Sequence, residues 1–276
     1  MVSTPIGNLS DITIRALKIL EAVDVIACED TRTTGRLMAR FGIATPLTPY
    51  HDHNAERVRP RLLARMREGE SVALVSDAGT PLVSDPGYKL VRAAIAEGLA
   101  VTPVPGASAV ITALAVSGLP TDRFLFAGFP PSRGAARRTM LMTLAAVPAT
   151  LVFYESVVRL PESLADMAEV LGNREVAVAR ELTKRFEEIR RGSLVEVTAH
   201  YRQAGPPKGE VVVVVAPPLD VVVSEAEVDR QLVLALDSTA SLRDAVDAVA
   251  AATGLPRRQV YARALELSAD GRTDEA

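Results

Sequence analysis

The stretch that most constrains the fold is residues 71–87, SVALVSDAGTPLVSDPG. Val72–Val75 is a short, uninterrupted apolar run, the pattern of a strand covered on both faces in a parallel sheet. It stops abruptly in Ser76-Asp77-Ala78-Gly79-Thr80-Pro81, and Asp85-Pro86-Gly87 then opens a predicted helix over residues 88–97. A buried strand that spills into small residues before a helix is where open α/β sheets take their ligands, beyond the carboxyl ends of the strands. Gly79 lets the backbone come close to a bound molecule, and Asp77 can accept hydrogen bonds from a ribose or an amine. This loop is the expected floor of a small-molecule site.

The same unit recurs upstream and downstream. Residues 1–3 read as the stub of a first strand before the loop Thr4-Pro5-Ile6-Gly7-Asn8-Leu9. Ser10 or Asp11 is the expected cap of a helix over 12–22. A strand at 23–27 ends in the charged cluster Cys28-Glu29-Asp30-Thr31-Arg32 before a helix at 33–41. The polar loop His51-Asp52-His53-Asn54 leads into a basic amphipathic helix, and a strand at 101–104 runs into Pro105-Gly106-Ala107-Ser108-Ala109 and a helix to 116. Strand, small-residue loop and helix in alternation predict a parallel, doubly wound sheet.

After a linker at 117–120, strands are expected at 124–127, 150–154 and 176–179, with 186–190 pairing beside the last, and a fully buried strand at 209–216 that carries five consecutive valines from Val211. Helices are expected at 139–146, up to 171, and at 193–202. Three short helices close the chain, at 225–236, 242–253 and 257–267, before a polar tail expected to be disordered. The predicted domains are an α/β domain at 1–116, a second α/β domain with a more mixed sheet at 117–220, and a helical, helix-turn-helix-like module at 221–276.

Composition narrows the chemistry. With 276 residues, 48% of them hydrophobic, there is core enough for about two domains. The net charge of -3 announces no global field for nucleic acid. A single cysteine, Cys28, excludes an intramolecular disulfide, and His51, His53 and His200 are a poor basis for zinc, so no metal is expected. Neither a signal-peptide pattern nor an apolar run near the ~18 residues of a membrane span is seen, and a cytoplasmic protein is expected. No two of the 17 glycines stand two apart, so the dinucleotide fingerprint is absent, as are the P-loop and the G-x-S-x-G nucleophile elbow. What remains are three small-residue loops (TPIGN, SDAGTP, PGASA) suited to a cofactor held by backbone groups, and charged clusters (EDTR, YES, RELTK) suited to a polar second substrate.

Seven motifs in order, TPIGNLSDIT-RAL, EDTR, SDAGTPLVSDPGY, PGASAVITALAVSGLP, FLFAGFPP, FYES and RELTKRFEE, resemble the family of ribosomal small-subunit RNA cytidine 2′-O-methyltransferases, of the tetrapyrrole-methylase-like class of S-adenosylmethionine enzymes. The resemblance implies two α/β domains with S-adenosylmethionine in the cleft between them (the tetrapyrrole methylase fold), a homodimer, and a target ribose in the decoding region of 16S ribosomal RNA within the small subunit. It implies cofactor contacts at Pro5, Gly7, Asp77, Ala78, Gly79, Thr80, Ser108, Ala109, Tyr154 and Glu155. Glu29, Asp30, Arg32, Arg180, Glu181 and Lys184 would face the RNA. A ribose hydroxyl is a poor nucleophile, and of the carboxylates that could accept its proton, Glu29, Asp30, Glu155 and Glu181, the expected one is Glu29 or Asp30. The chain departs from the family pattern in its short first strand and in Val157-Val158, where the family has Pro-His. A corrin-precursor methyltransferase and a non-catalytic RNA-binding assembly factor are the competing readings.

Overall fold

The strand β1 (Val25–Cys28) shows why the first half folds as it does. Its residues are all buried, and they alternate: Ile26 and Cys28 join the side chains of α1 (Ile14–Ala22) and α2 (Thr31–Arg40), while Val25 and Ala27 join those of α3 (Ala55–Arg67) and α4 (Tyr88–Ala96). A strand with helices on both faces has no polar side, hence the unbroken apolar run. β1 lies between β2 (Leu47–Pro49) and β3 (Val72–Val75), parallel to both. Beyond β3 the chain start adds backbone pairing: Val2 donates to the Leu74 carbonyl at 2.9 Å and Ser3 to that of Val104 at 3.1 Å.

The second sheet runs β4-β5-β8-β6-β7, from β4 (Phe124–Phe126), β5 (Thr150–Glu155), β6 (Glu175–Arg180), β7 (Glu188–Ser193) and β8 (Val211–Val215). Only β4 and β5 are parallel; the other pairings are antiparallel. Val211, Val213 and Val215 face α6 (Gly134–Leu144), α7 (Leu160–Leu171) and α8 (Leu194–Ala204). Val212 and Val214 face α5 (Ala109–Ser117) together with Ile6 of the first loop. Thus α5, apolar nearly all round, is buried against the second sheet, and it ties the loops of the first half to the strands of the second.

The computed structural model describes residues 1–218, 225–238, 241–253 and 255–270, in two compact units, Met1–Pro218 and Leu219–Ala276. The smaller unit holds α9 (Glu225–Ser238), α10 (Leu242–Thr253) and α11 (Arg257–Asp270) around Val228, Leu232, Val246, Val249, Val260 and Ala264.

Several expectations need correction. Neither 1–3 nor 101–104 forms a regular strand; the two meet only in an isolated parallel bridge, Val2 with Val104. Pro103 has no amide to donate, which limits its segment to isolated pairing. The cap of α1 is Thr13, whose hydroxyl accepts from the Ala16 amide at 3.0 Å, because residues 9–11 are taken up in a 3₁₀ turn. α2 begins at Thr31, with Asp30 as its cap. α6 begins five residues earlier than expected, at Gly134, where Arg137 is buried in an ion pair with Asp166 at 2.6 Å. β2 was not anticipated: Leu47-Thr48-Pro49 has too few apolar residues to announce a strand. α11 continues through Asp270, into the segment expected to be disordered, and 271–276 lie outside the described residues.

Candidate active site

The loop after β3, the first loop, the start of α2 and the ends of β5, β6 and β8 enclose two cavities, and neither Glu29 nor Asp30 lines either of them. The larger, about 410 Å³, is walled by small residues (Ala78, Gly79, Ala109, Ala179), by Tyr154, Phe129 and Leu182, and by the backbone-rich segment 209–212. Gly79 has φ +79°, and a Cβ there would stand 3.3 Å from the Ile6 side chain, so the loop needs glycine for both conformation and closeness. The smaller cavity, about 330 Å³, is walled by Pro5, Gly7 and Leu9, by Thr33, Arg36 and Leu37 of α2, and by Asp77. Ile6, Ala78 and Lys184 line both.

The expected cofactor residues therefore separate. Ala78, Gly79, Ala109, Tyr154 and Glu155 border the larger cavity, whereas Pro5, Gly7 and Asp77 border the smaller. Thr80 and Ser108 line neither. The Thr80 hydroxyl is held by the Ala107 carbonyl and Ser3, both at 3.1 Å, and the Ser108 carbonyl accepts from Thr112 at 2.8 Å. These two shape the loops.

Tyr154 stands between Phe126, edge-on at 4.9 Å, and Phe129 at 5.3 Å, and burial pushes its phenol up to about 12. It stays a neutral hydrogen-bonding wall. The Glu155 carboxylate, though beside the cavity, is fully buried and committed: it pairs with Arg159 at 2.7 Å, accepts from the Ser156 amide at 2.6 Å and is hydrogen-bonded to Ser163.

The other charged residues are also largely engaged. Arg180 pairs with Glu188 at 3.0 Å and donates to the Lys208 carbonyl. Glu181 accepts from Lys184 at 2.8 Å and from the Glu210 amide at 3.0 Å. Lys184 also pairs with Glu210 at 2.7 Å, and its stem lies over Gly7, where a Cβ would stand 2.5 Å from Cγ of the lysine. Burial opposes the charge on Lys184, but the two carboxylates outweigh it, and its pKa is raised. The ammonium is a fixed positive charge and not a base.

Glu29 and Asp30 differ although adjacent. Hydrogen bonds from Arg32 hold the Asp30 carboxyl down at about 2, and its side chain also caps α2. Glu29 is raised, by burial first and then by the carboxylates of Asp77, Asp85, Asp52 and Asp30. Asp85, which lines the larger cavity, is raised by burial too and was not anticipated; its Asp-Pro-Gly setting reads as a helix opener alone. Phe129 was also missed, lying in a Gly-Phe-Pro-Pro loop with no periodicity to mark it. Among the described residues, the non-glycine residues with positive φ are Leu82, Ser84, Glu181 and Thr183, in two loops beside these cavities. Backbone held in this sparsely populated region clusters at functional sites.

Residues 1–198 match the family of Tetrapyrrole (Corrin/Porphyrin) Methylases, and 222–268 match the RsmI C-terminal HTH domain. Among solved structures, the chain resembles diphthine synthase (TM-score 0.61, 16% identity, 78% of this chain and 88% of that one). It also resembles a uroporphyrin-III-C-methyltransferase from Thermus thermophilus (TM-score 0.55, 23% identity, 78% and 92%). At such identities these likenesses define the fold alone: a two-sheet methylase scaffold. Closer relatives narrow it. The chain is 52% identical over 268 residues to the ribosomal RNA small subunit methyltransferase I of Mesorhizobium japonicum, covering 97% of this chain and 91% of the relative. To that of Erythrobacter litoralis it is 53% identical over 267 residues, covering 97% and 94%. The chain belongs to the ribosomal RNA small subunit methyltransferase I family.

The larger cavity fits the cofactor of such an enzyme. Its volume is in the usual ~300–1,000 Å³ range, its walls are small and apolar enough for a purine, and Asp85 offers a carboxylate to a cation or a hydroxyl. Among the described residues no cluster of ligand side chains suits a metal.

Proposed function

We propose that the chain methylates the ribose 2′-oxygen of a cytidine in the decoding region of 16S ribosomal RNA, within the small ribosomal subunit, acting as a cytoplasmic homodimer. What carries this reading is the kinship, above half identity along nearly the whole chain, to methyltransferases of small-subunit ribosomal RNA, joined to a cavity that suits a purine sulfonium. We assign the cofactor loops to residues 1–116 and the opposing wall to 117–220, with Ala78, Gly79, Ala109, Tyr154 and Asp85 around S-adenosylmethionine.

Bound S-adenosylmethionine would supply a methyl group activated by positive sulfur and would leave as the neutral thioether, while a carboxylate of this chain takes the proton of the ribose hydroxyl. The residues of this chain align and exclude water. Glu29 is the better proton acceptor of the adjacent pair, since a base works best with a pKa brought toward the operating pH, and Asp30 is held far below it by Arg32. Glu155 and Glu181, with carboxylates spent on internal partners, hold the cavity walls in place. In the smaller unit Arg257 pairs with Asp247, which leaves Arg258 as the arginine at the head of α11 that we place on RNA phosphates.

Methyl transfer measured on purified small subunits, on free 16S RNA and on a corrinoid precursor tests the assignment. Transfer to subunits is the expected result. Transfer to the corrinoid alone, or to none of the three, overturns it.

A further inference from the structure

The smaller cavity has no role in the account so far. It shares one wall with the larger, made by Ile6, Ala78 and Lys184. The rest of its lining mixes apolar Pro5, Leu9 and Leu37 with polar Thr33 and Arg36 from α2 and Asp77 from the loop after β3. Arg36 is exposed and has no carboxylate partner among the described residues, unlike Arg32 one turn before it, which pairs with Asp30 at 2.6 Å. Arg40, one turn further on, is likewise exposed and unpaired among the described residues. Residues four apart share a helix face, so an arginine ridge leads away from this cavity along α2.

Transfer between two bound molecules requires the reacting atoms within ~3–3.5 Å of each other. The two chambers adjoin at Ile6, Ala78 and Lys184, so a reactant in each lies against the same thin partition, and transfer needs the flexible Lys184 stem to move aside there. We infer that the smaller cavity is the seat of the acceptor ribonucleotide, with Arg36 on its phosphate and the Arg36–Arg40 ridge following the adjoining RNA backbone. This rests on the reading that the larger cavity takes the methyl donor and that RNA is the acceptor. Guanidinium suits phosphate by its planar fork of donors. Lys184, at the common wall, is kept charged by Glu181 and Glu210 and so does not compete for the acceptor's proton.

Two measurements decide the matter. Arg36→Glu should raise KM for small subunits about tenfold or more, since a charge-assisted contact is lost. It should flatten the slope of log affinity against log salt by about one. The dissociation constant of S-adenosylmethionine, by calorimetry, should stay at the wild-type value. Separately, Leu9→Cys places a thiol in the lining of the cavity, at a site 43% exposed, in a chain whose one native thiol, Cys28, is buried. Its alkylation, followed by mass spectrometry, should be slowed by small subunits and left unchanged by S-adenosylhomocysteine alone. If the wild type methylates subunits while Arg36→Glu keeps its KM and Leu9→Cys goes unprotected, the seat is elsewhere. Weakened S-adenosylmethionine binding in Arg36→Glu, or protection by S-adenosylhomocysteine, gives the smaller cavity to the donor and also overturns the inference. A wild type that binds the donor but methylates no subunit overturns the functional reading as well.

Discussion

The two sheets face one another across the same cavities but contribute to them differently. The parallel sheet offers backbone: the loops after β3 and before α5 bring small residues and main-chain groups to the cavities, with Gly79 closing to within contact of Ile6. The mixed sheet offers side chains locked in ion pairs, Glu155 with Arg159, Arg180 with Glu188, and Lys184 with Glu181 and Glu210. The topology accounts for the contrast. Strands of a parallel βα unit all deliver loops to one end, where small residues suffice to make a floor. Antiparallel strands send alternate connections to opposite ends, so β6 and β8 reach the cavities by sharp loops that need side chains to pin them.

The sharpest way to break that comparison is to unpin the mixed sheet far from the cavities. Asp166 accepts from Arg137 and Arg138 at 2.6 and 2.8 Å and is buried with Arg137 between α6 and α7. Removing one partner of a buried pair strands the other charge, a loss of about 3–5 kcal/mol. Asp166→Ala should therefore lower the urea midpoint by that equivalent. A change under ~1 kcal/mol would mean that the pair is solvated and the sheet held by its apolar face alone.

Next in size is the chemistry at the parallel sheet. Glu29→Gln should cut kcat roughly a hundredfold, the lower range for loss of a general base. The raised pKa sets the sign: Glu29 must be deprotonated to accept the proton, so wild-type kcat rises with pH on the acid side, with its midpoint above that of an ordinary glutamate. The variant should lose that limb and keep its affinity for S-adenosylmethionine. An unchanged acid limb moves the role to Asp85, the other carboxyl raised by burial.

A smaller effect separates backbone from side chain in the mixed sheet itself. Gly209 sits at φ +100°, and a Cβ there would run into the Glu181 side chain. Gly209→Ala combines left-handed strain with displacement of the carboxylate that holds Lys184, and should cost about 1–3 kcal/mol. The double variant with Glu181→Ala should recover part of that cost, because the steric conflict is gone while the strain remains.

The same contrast explains what the sequence made legible. Apolar runs into small-residue turns located β1, β3, β5 and β8 to within a residue or two, and the loops at Gly7, Gly79 and Ala109 as cavity walls, because backbone geometry demands particular residue types there. The charged clusters were opaque. EDTR and RELTK carry the same symbols whether a charge faces a ligand or a neighbour, and only the fold reveals that Glu181 meets Glu210 and Lys184 across 29 and 3 residues of sequence. Asp85 and Phe129 were hidden for another reason: each reaches the cavity from a loop with no period to betray its direction. The division into two cavities was invisible, since it depends on how Ile6, Ala78 and the Lys184 stem, far apart in sequence, come together.

The smallest effect tests whether the parallel sheet depends on side chains at all outside its core. Thr13 precedes α1, and its hydroxyl accepts from the Ala16 amide, one of the four that a helix start leaves without an internal partner. The helix it caps buries only Ala16 and Leu20, so little tertiary packing compensates for a frayed first turn. Thr13→Ala should cost about 1 kcal/mol, and Thr13→Ser, which keeps the acceptor, much less. Because α1 lies against the core behind β1 and not at the cavities, both variants should bind S-adenosylmethionine as the wild type does. A drop in donor affinity with Thr13→Ala would show that the loop at 4–9 takes its position from the helix that follows it, and that the parallel side, too, holds its site through a side chain.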